Sequence, residues 1–132
     1  MANLRLALPS EGALYGPSGD FLRECGLHVS RASSRRYTAT IPSLPGVDVL
    51  FQRSSDISGE IDGGSADIGI TGLDRFLEAH QEGGDSVTLF EDLGFGGASL
   101  VIAVPDGWLD VTSLADLADL ALEFRQRGQN LR

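Results

Sequence analysis

Three times in this chain a short apolar run is closed by a small or polar loop and followed by apolar residues at helical spacing, and that alternation leaves few folds open. Leu4-Arg5-Leu6-Ala7-Leu8 runs into Pro9-Ser10-Glu11-Gly12, after which Phe21, Leu22 and Cys25, with Gly26 behind them, mark a helix. Val47-Asp48-Val49-Leu50-Phe51 leads into Arg53-Ser54-Ser55-Asp56-Ile57 and a short helix to about Asp62, broken by Gly63-Gly64-Ser65. Ala66-Asp67-Ile68-Gly69-Ile70-Thr71 passes through Gly72 into a helix carrying Leu73, Phe76, Leu77 and Ala79, ended by Gly83-Gly84. Strand followed by helix, repeated, predicts an α/β chain with a parallel or mixed sheet covered on both faces. The ligand crevice of such a sheet lies at the carboxyl ends of its strands. The loops to watch are therefore 9–14, 52–57 and 71–74.

Beyond the third helix, Ser86 to Leu93 and Ser99 to Val104 read as further strands, separated by Gly94-Phe95-Gly96-Gly97 and closed by Pro105-Asp106-Gly107. The glycine segment lies between strands rather than before a helix, so it reads as a hinge and not as a dinucleotide fingerprint. Ser113 with Asp116 three residues on predicts a capped helix start, and Leu114, Leu117, Ala121 and Phe124 share one face. Arg125 and Arg127 stand near the negative end of that helix before Gly128.

Composition removes several functions. Net charge is −9, which argues against a nucleic-acid surface, because phosphate contacts need clustered positive charge. All ten basic residues are arginine, so Schiff-base chemistry and a Walker-type phosphate loop are excluded. The single Cys25 allows no internal disulfide, and no Cys/His cluster has zinc spacing. With no targeting pattern and no apolar stretch near the roughly 20 residues needed to span a bilayer, the expected setting is cytoplasmic. The cluster Arg31, Arg35 and Arg36 reads either as a solvated loop or as a patch for an anionic partner.

Each of the three loops supports two readings. Thr71-Gly72-Leu73-Asp74 joins a strand to a helix start, where free N–H groups attract an anion. Equally, Thr71 can cap that helix with Asp74 returning the bond. Arg53 can grip a phosphate by two parallel bonds while Asp56 caps a helix or meets a ribose hydroxyl, or the two can pair structurally. Glu11 can accept from an amino or hydroxyl group in the same crevice, or stand as a solvated acid. His28 and His80 lack partners at ligand spacing and receive no catalytic role.

Taken in order and spacing, the segments 4–12, 53–57, 66–74, 93–96 (Leu93-Gly94-Phe95-Gly96) and 100–105 (Leu100-Val101-Ile102-Ala103-Val104-Pro105) resemble ATP phosphoribosyltransferase, most strongly from Arg53 to Asp74. The resemblance implies a lobe like those of type II periplasmic binding proteins over residues 1–93, with a mixed sheet, then a crossover and the truncated start of a second α/β lobe over 94–132. It implies that N1 of the adenine of ATP attacks the anomeric carbon of phosphoribosyl pyrophosphate, with magnesium carried on the substrate phosphates. It also implies a nucleotide-side wall made by Glu11, Gly12, Arg53, Thr71, Gly72 and Asp74, and a homo-oligomer that a regulatory subunit can join.

The chain departs from the family pattern in two places. Relatives often carry Lys or Arg where this first loop has Glu11 and Ala13. Nothing here matches the acidic, Gly/Thr-rich loop that cradles the donor's ribose 5-phosphate, so the expectation is a portion of the enzyme that lacks the donor-binding loop and is inactive alone. Open sheet edges and apolar surface then favour self-association. The competing expectations are a non-catalytic module of periplasmic-binding type, holding a small anion or amino acid at Thr71-Gly72, and an interaction subunit of a larger transferase complex.

Overall fold

The computed structural model describes residues 3–79 and 84–132; His80 and the helix end expected at Gly83 lie outside them. β1 (Leu4–Pro9) is an inner strand because its side chains serve two cores at once. Leu6 and Leu8 point into a cluster with Leu22, Ala39, Ile41, Val49 and Phe51, while Ala7 points the other way, to Ile57 and Ala66. That period of two is the strand's own geometry, and it forces a helix onto each face.

The first face is covered by α1 (Tyr15–Glu24), which buries Leu22 and ends at Gly26 in the left-handed region, φ +83°. There the Leu27 N–H donates to the Leu22 carbonyl at 2.8 Å, closing the helix in a glycine-dependent turn. The second face is covered by α2 (Ser54–Asp62), whose Ile57 is fully buried.

β1 pairs in parallel with β3 (Val47–Gln52), Leu4 opposite Val47 through to Pro9 opposite Gln52. β2 (Thr38–Thr40) runs antiparallel to β3 on one edge, and β4 (Ile68–Gly69) parallel to β1 on the other, so the order is β2-β3-β1-β4 and the sheet is mixed. The α/β class with a mixed sheet is as expected. β2 was not foreseen, although Tyr37-Thr38-Ala39-Thr40 carries the aromatic and β-branched residues that favour an edge strand.

The strand expected over 66–71 is shorter, Ile68–Gly69 alone in the ladder, flanked by Asp67 N–H to the Arg5 carbonyl at 2.9 Å and Ile70 N–H to the Ala7 carbonyl at 3.1 Å. After Ile70 the chain turns toward α2 and into α3 (Leu73–Ala79). The strands expected over 86–93 and 99–104 do not form. Their composition suits a strand, but no described segment lies alongside to complete a ladder. Val87, Leu89, Phe90, Leu100, Val101 and Ile102 are left exposed.

The chain divides into two compact units, one ending at Gly97 and one from Ala98 to Arg132. In the first, Phe95 packs on Phe21 with ring centroids 6.0 Å apart, and a Cβ on Gly96 would lie 2.6 Å from Cδ2 of Leu14. The second is built on α4 (Leu114–Gln126), where the Ser113 hydroxyl accepts the Asp116 N–H at 3.2 Å and Phe124 packs on Trp108 at 6.2 Å between centroids. The Asp116 carboxylate accepts the Thr112 N–H and hydroxyl, each at 3.0 Å, which places the return bond of the cap one residue earlier than a simple capping box.

Candidate functional site

The parallel register that sets Pro9 opposite Gln52 also makes the loops after β1 and β3 emerge side by side. The Ser10 N–H donates to the Gln52 carbonyl at 2.8 Å and fastens them together. Between them opens a cavity of about 280 Å³, walled by Ser10 and Glu11 from the first loop and Gln52 and Arg53 from the second. Arg31, Ser34 and Tyr37, from the segment between α1 and β2, complete the wall.

Arg53 is the N-cap residue of α2, with φ −64° and ψ 140°, and its side chain makes no capping bond. Its carbonyl accepts the Asp56 N–H at 2.9 Å, but the two side chains form no ion pair, so the structural Arg–Asp pairing is not what the chain adopts. Among the described residues the Arg53 guanidinium has no carboxylate partner and is free to meet a ligand.

Arg31 is held far more rigidly. Its Nε donates to the Arg36 carbonyl at 2.7 Å, one Nη to the Ser34 carbonyl at 2.9 Å and the other to the Tyr15 hydroxyl at 3.3 Å. The guanidinium carbon lies over the Phe51 ring, 4.0 Å from its centroid, and 5.7 Å from that of Tyr15. These partners are dipoles and ring faces, not carboxylates, so the cation is oriented without being neutralised. Its neighbours in the expected basic cluster, Arg35 and Arg36, are exposed and do not line the cavity. A second cavity of about 210 Å³, on the α1 side, is lined by Arg31 together with Tyr15, Asp20, Arg23, His28 and Phe51, among others.

The structure therefore brings Glu11 and Arg53 to one cavity. Thr71 joins them indirectly, its hydroxyl donating to the Ser54 carbonyl at 2.8 Å, next to Arg53. With that bond the hydroxyl fastens the third loop to α2. Gly12, with φ +80°, Gly72 and Asp74 do not line this cavity. A Cβ on Gly72 would meet only the movable end of the Asp74 side chain, the acid in the first turn of α3. Ser34 and Tyr37 were not singled out in the sequence, whereas Gln52 lies in the loop 52–57 and Arg31 in the basic cluster that the sequence offered to an anionic partner.

The balance of charge in the cavity is two guanidinium groups against the one carboxylate of Glu11, in a chain whose net charge is −9. Such a local excess of arginine suits an anion that also carries a hydrogen-bond donor for Glu11. Among the described residues no three His, Cys, Asp or Glu side chains are grouped to hold a metal ion, and no helix is long and apolar enough to cross a membrane.

Residues 53–128 match the family model described as ATP phosphoribosyltransferase. Curated relatives named ATP phosphoribosyltransferase include one from Chelativorans sp. (strain BNC1), 43% identical over 92% of this chain and 54% of its own length. One from Mesorhizobium japonicum is 41% identical over 98% of this chain and 56% of its own length. A third, from Brucella anthropi, is 42% identical over 98% of this chain and 57% of its own length. The chain thus spans about half the length of the curated relatives it matches. Among solved structures, the ATP phosphoribosyl transferase (HisG:HisZ) complex from Thermotoga maritima aligns with a TM-score of 0.48 and 28% identity, covering 60% of this chain and 36% of that one.

Proposed function

The chain belongs to the ATP phosphoribosyltransferase family, and from that membership we propose that it forms the nucleotide-side portion of the enzyme that joins ATP to phosphoribosyl pyrophosphate. In that reaction the adenine N1 lone pair forms a bond to the anomeric carbon, the bond from that carbon to pyrophosphate breaks, and pyrophosphate leaves with its magnesium. No covalent bond to the protein is needed, so the chain's contribution is to position the nucleotide and neutralise its phosphates.

The single observation that supports this reading is the cavity at the ends of β1 and β3, where Arg53 and Arg31 face Glu11. Arg53 takes phosphate oxygens, and Glu11 accepts from the adenine amino group or a ribose hydroxyl. Gly12, Thr71, Gly72 and Asp74 stand outside the cavity's lining, and Thr71 supports it from behind by keeping the third loop against α2 next to Arg53. Magnesium arrives with the substrate phosphates. On this reading residues 1–93 form the nucleotide lobe, residues 94–132 the crossover and the start of a second lobe, and the protein works in the cytoplasm as a homo-oligomer. On the same reading the donor-binding loop belongs to the part of the relatives' length that this chain does not span.

Calorimetric titration with magnesium-ATP tests the reading. The chain should bind, and Arg53→Ala should weaken binding at least about tenfold, which is about 1.4 kcal/mol. No binding by the unaltered chain, or binding indifferent to Arg53→Ala, would remove it.

A further inference from the structure

We propose that Tyr37 is the platform on which the purine of the bound nucleotide stacks, with Arg31 and Arg53 receiving the phosphates, so that the cavity selects a nucleobase and not merely a polyphosphate. This rests on the nucleotide reading above and deepens it.

Tyr37 lines the cavity while remaining 70% exposed. Its backbone is nevertheless fixed, because it precedes β2 directly and its carbonyl accepts the Phe51 N–H at 2.8 Å. An exposed ring on an anchored backbone, at the rim of a polar cavity, gives large flat contact area at little cost in ordering. Its hydroxyl has no hydrogen-bond partner among the described residues, whereas the neighbouring Tyr15 is already committed, its ring packed edge-on to Phe51 at 6.0 Å and its hydroxyl bound by Arg31.

Arg31 makes the arrangement directional. One face of its guanidinium is covered by Phe51, and its bonds to the Ser34 and Arg36 carbonyls tie down the segment that ends at Tyr37. One N–H on each of its two terminal nitrogens stays without a partner among the described residues. An oriented cation with donors to spare is suited to phosphate oxygens, which leaves the uncharged Tyr37 ring as the cavity's surface for a base.

The test compares magnesium-ATP with magnesium-tripolyphosphate in calorimetric titrations of the chain and of Tyr37→Ala, Tyr37→Phe and Arg53→Ala. Stacking predicts that Tyr37→Ala weakens ATP about tenfold or more and leaves tripolyphosphate within about twofold, that Tyr37→Phe keeps ATP affinity, and that Arg53→Ala weakens both ligands. The adenine H2 and H8 resonances should move upfield on binding to the unaltered chain and not to Tyr37→Ala. Unchanged ATP affinity in Tyr37→Ala alongside a loss in Arg53→Ala would overturn the platform and leave the nucleotide site standing. Equal losses of both ligands in Tyr37→Ala, or no upfield shift, would also overturn it. Failure of the unaltered chain to bind ATP would overturn the site and the platform together.

Discussion

The guanidinium of Arg31 stacks on Phe51 at 4.0 Å from the ring centroid, so a residue of the α1–β2 segment is locked onto the central parallel strand pair. The stack also carries bonds to the Ser34 and Arg36 carbonyls, which hold the segment between them. Lysine would keep the charge but lose the planar fork and its contact with the ring. Arg31→Lys should therefore destabilise the chain by about 1–2 kcal/mol in urea unfolding. Limited trypsin digestion should cut faster after Arg35 and Arg36. An unchanged unfolding midpoint with unchanged digestion would show that the stack contributes nothing.

Arg5 and Asp67 clasp the entry to β4. The Asp67 carboxylate accepts the Arg5 N–H at 2.8 Å and its Nε at 3.2 Å. The Arg5 side chain first, and then its backbone N–H, hold the Asp67 carboxyl below the usual aspartate range. A folded-state pKa below the unfolded value means the unfolded chain takes up a proton first as pH falls. The clasp's contribution is thus complete above about pH 4 and is lost as pH drops through the folded value. Asp67→Asn should lower the melting temperature near neutral pH, and the gap to the unaltered chain should close on acidification below about pH 4. Asp116, also held low, by the Thr112 N–H first, remains in both chains and cancels in the comparison. A gap that persists unchanged into strong acid would contradict the clasp.

Gly69 shows how closely α2 sits on the sheet. A methyl group there would lie 2.6 Å from Cγ2 of Ile57 and 3.0 Å from Cδ1 of Ile61, both on the helix. The carbonyl of Ala7 is 3.3 Å away on the other side, so the added atom cannot move outward into the sheet. Gly69→Ala should cost about 1–3 kcal/mol in urea unfolding, as overpacked cores do. Pairing it with Ile61→Val, which removes the facing Cδ1, should recover part of that loss. A double variant no more stable than Gly69→Ala would place the strain elsewhere.

What could be read in advance divides along a physical line. β1, β3, α1, α2 and α4 follow from local patterns: Leu6 and Leu8 alternate with Ala7, Leu22 returns at helical spacing, and Ser113 caps its own helix. The convergence of Glu11 and Arg53 was legible too, because strand ends in a parallel pair must emerge together. Arg31 and Tyr37 were not. Their places at the cavity depend on a ring twenty residues along the chain in one case and on an unforeseen edge strand in the other, and neither is encoded in nearby spacing. The misread strands over 86–93 and 99–104 fail for the complementary reason. Strand propensity is local, but a ladder needs a second strand.

That unmet need has a consequence in solution. Leu100, Val101 and Ile102 are consecutive and 102%, 73% and 68% exposed, and no charged residue stands between Leu93 and Pro105. A β-prone, apolar, uncharged and exposed segment is a template for pairing with another chain. The net charge of −9 opposes such contact by long-range repulsion, which salt screens at distances beyond about 10 Å at 0.1 M. Apparent mass by light scattering should therefore rise with protein concentration, and rise further with added salt. Val101→Asp should suppress the rise while changing unfolding stability by no more than about 0.5 kcal/mol, as expected for an exposed position. A mass independent of concentration and salt, or an Asp variant that associates as readily as the unaltered chain, would show that the exposed segment is not the contact.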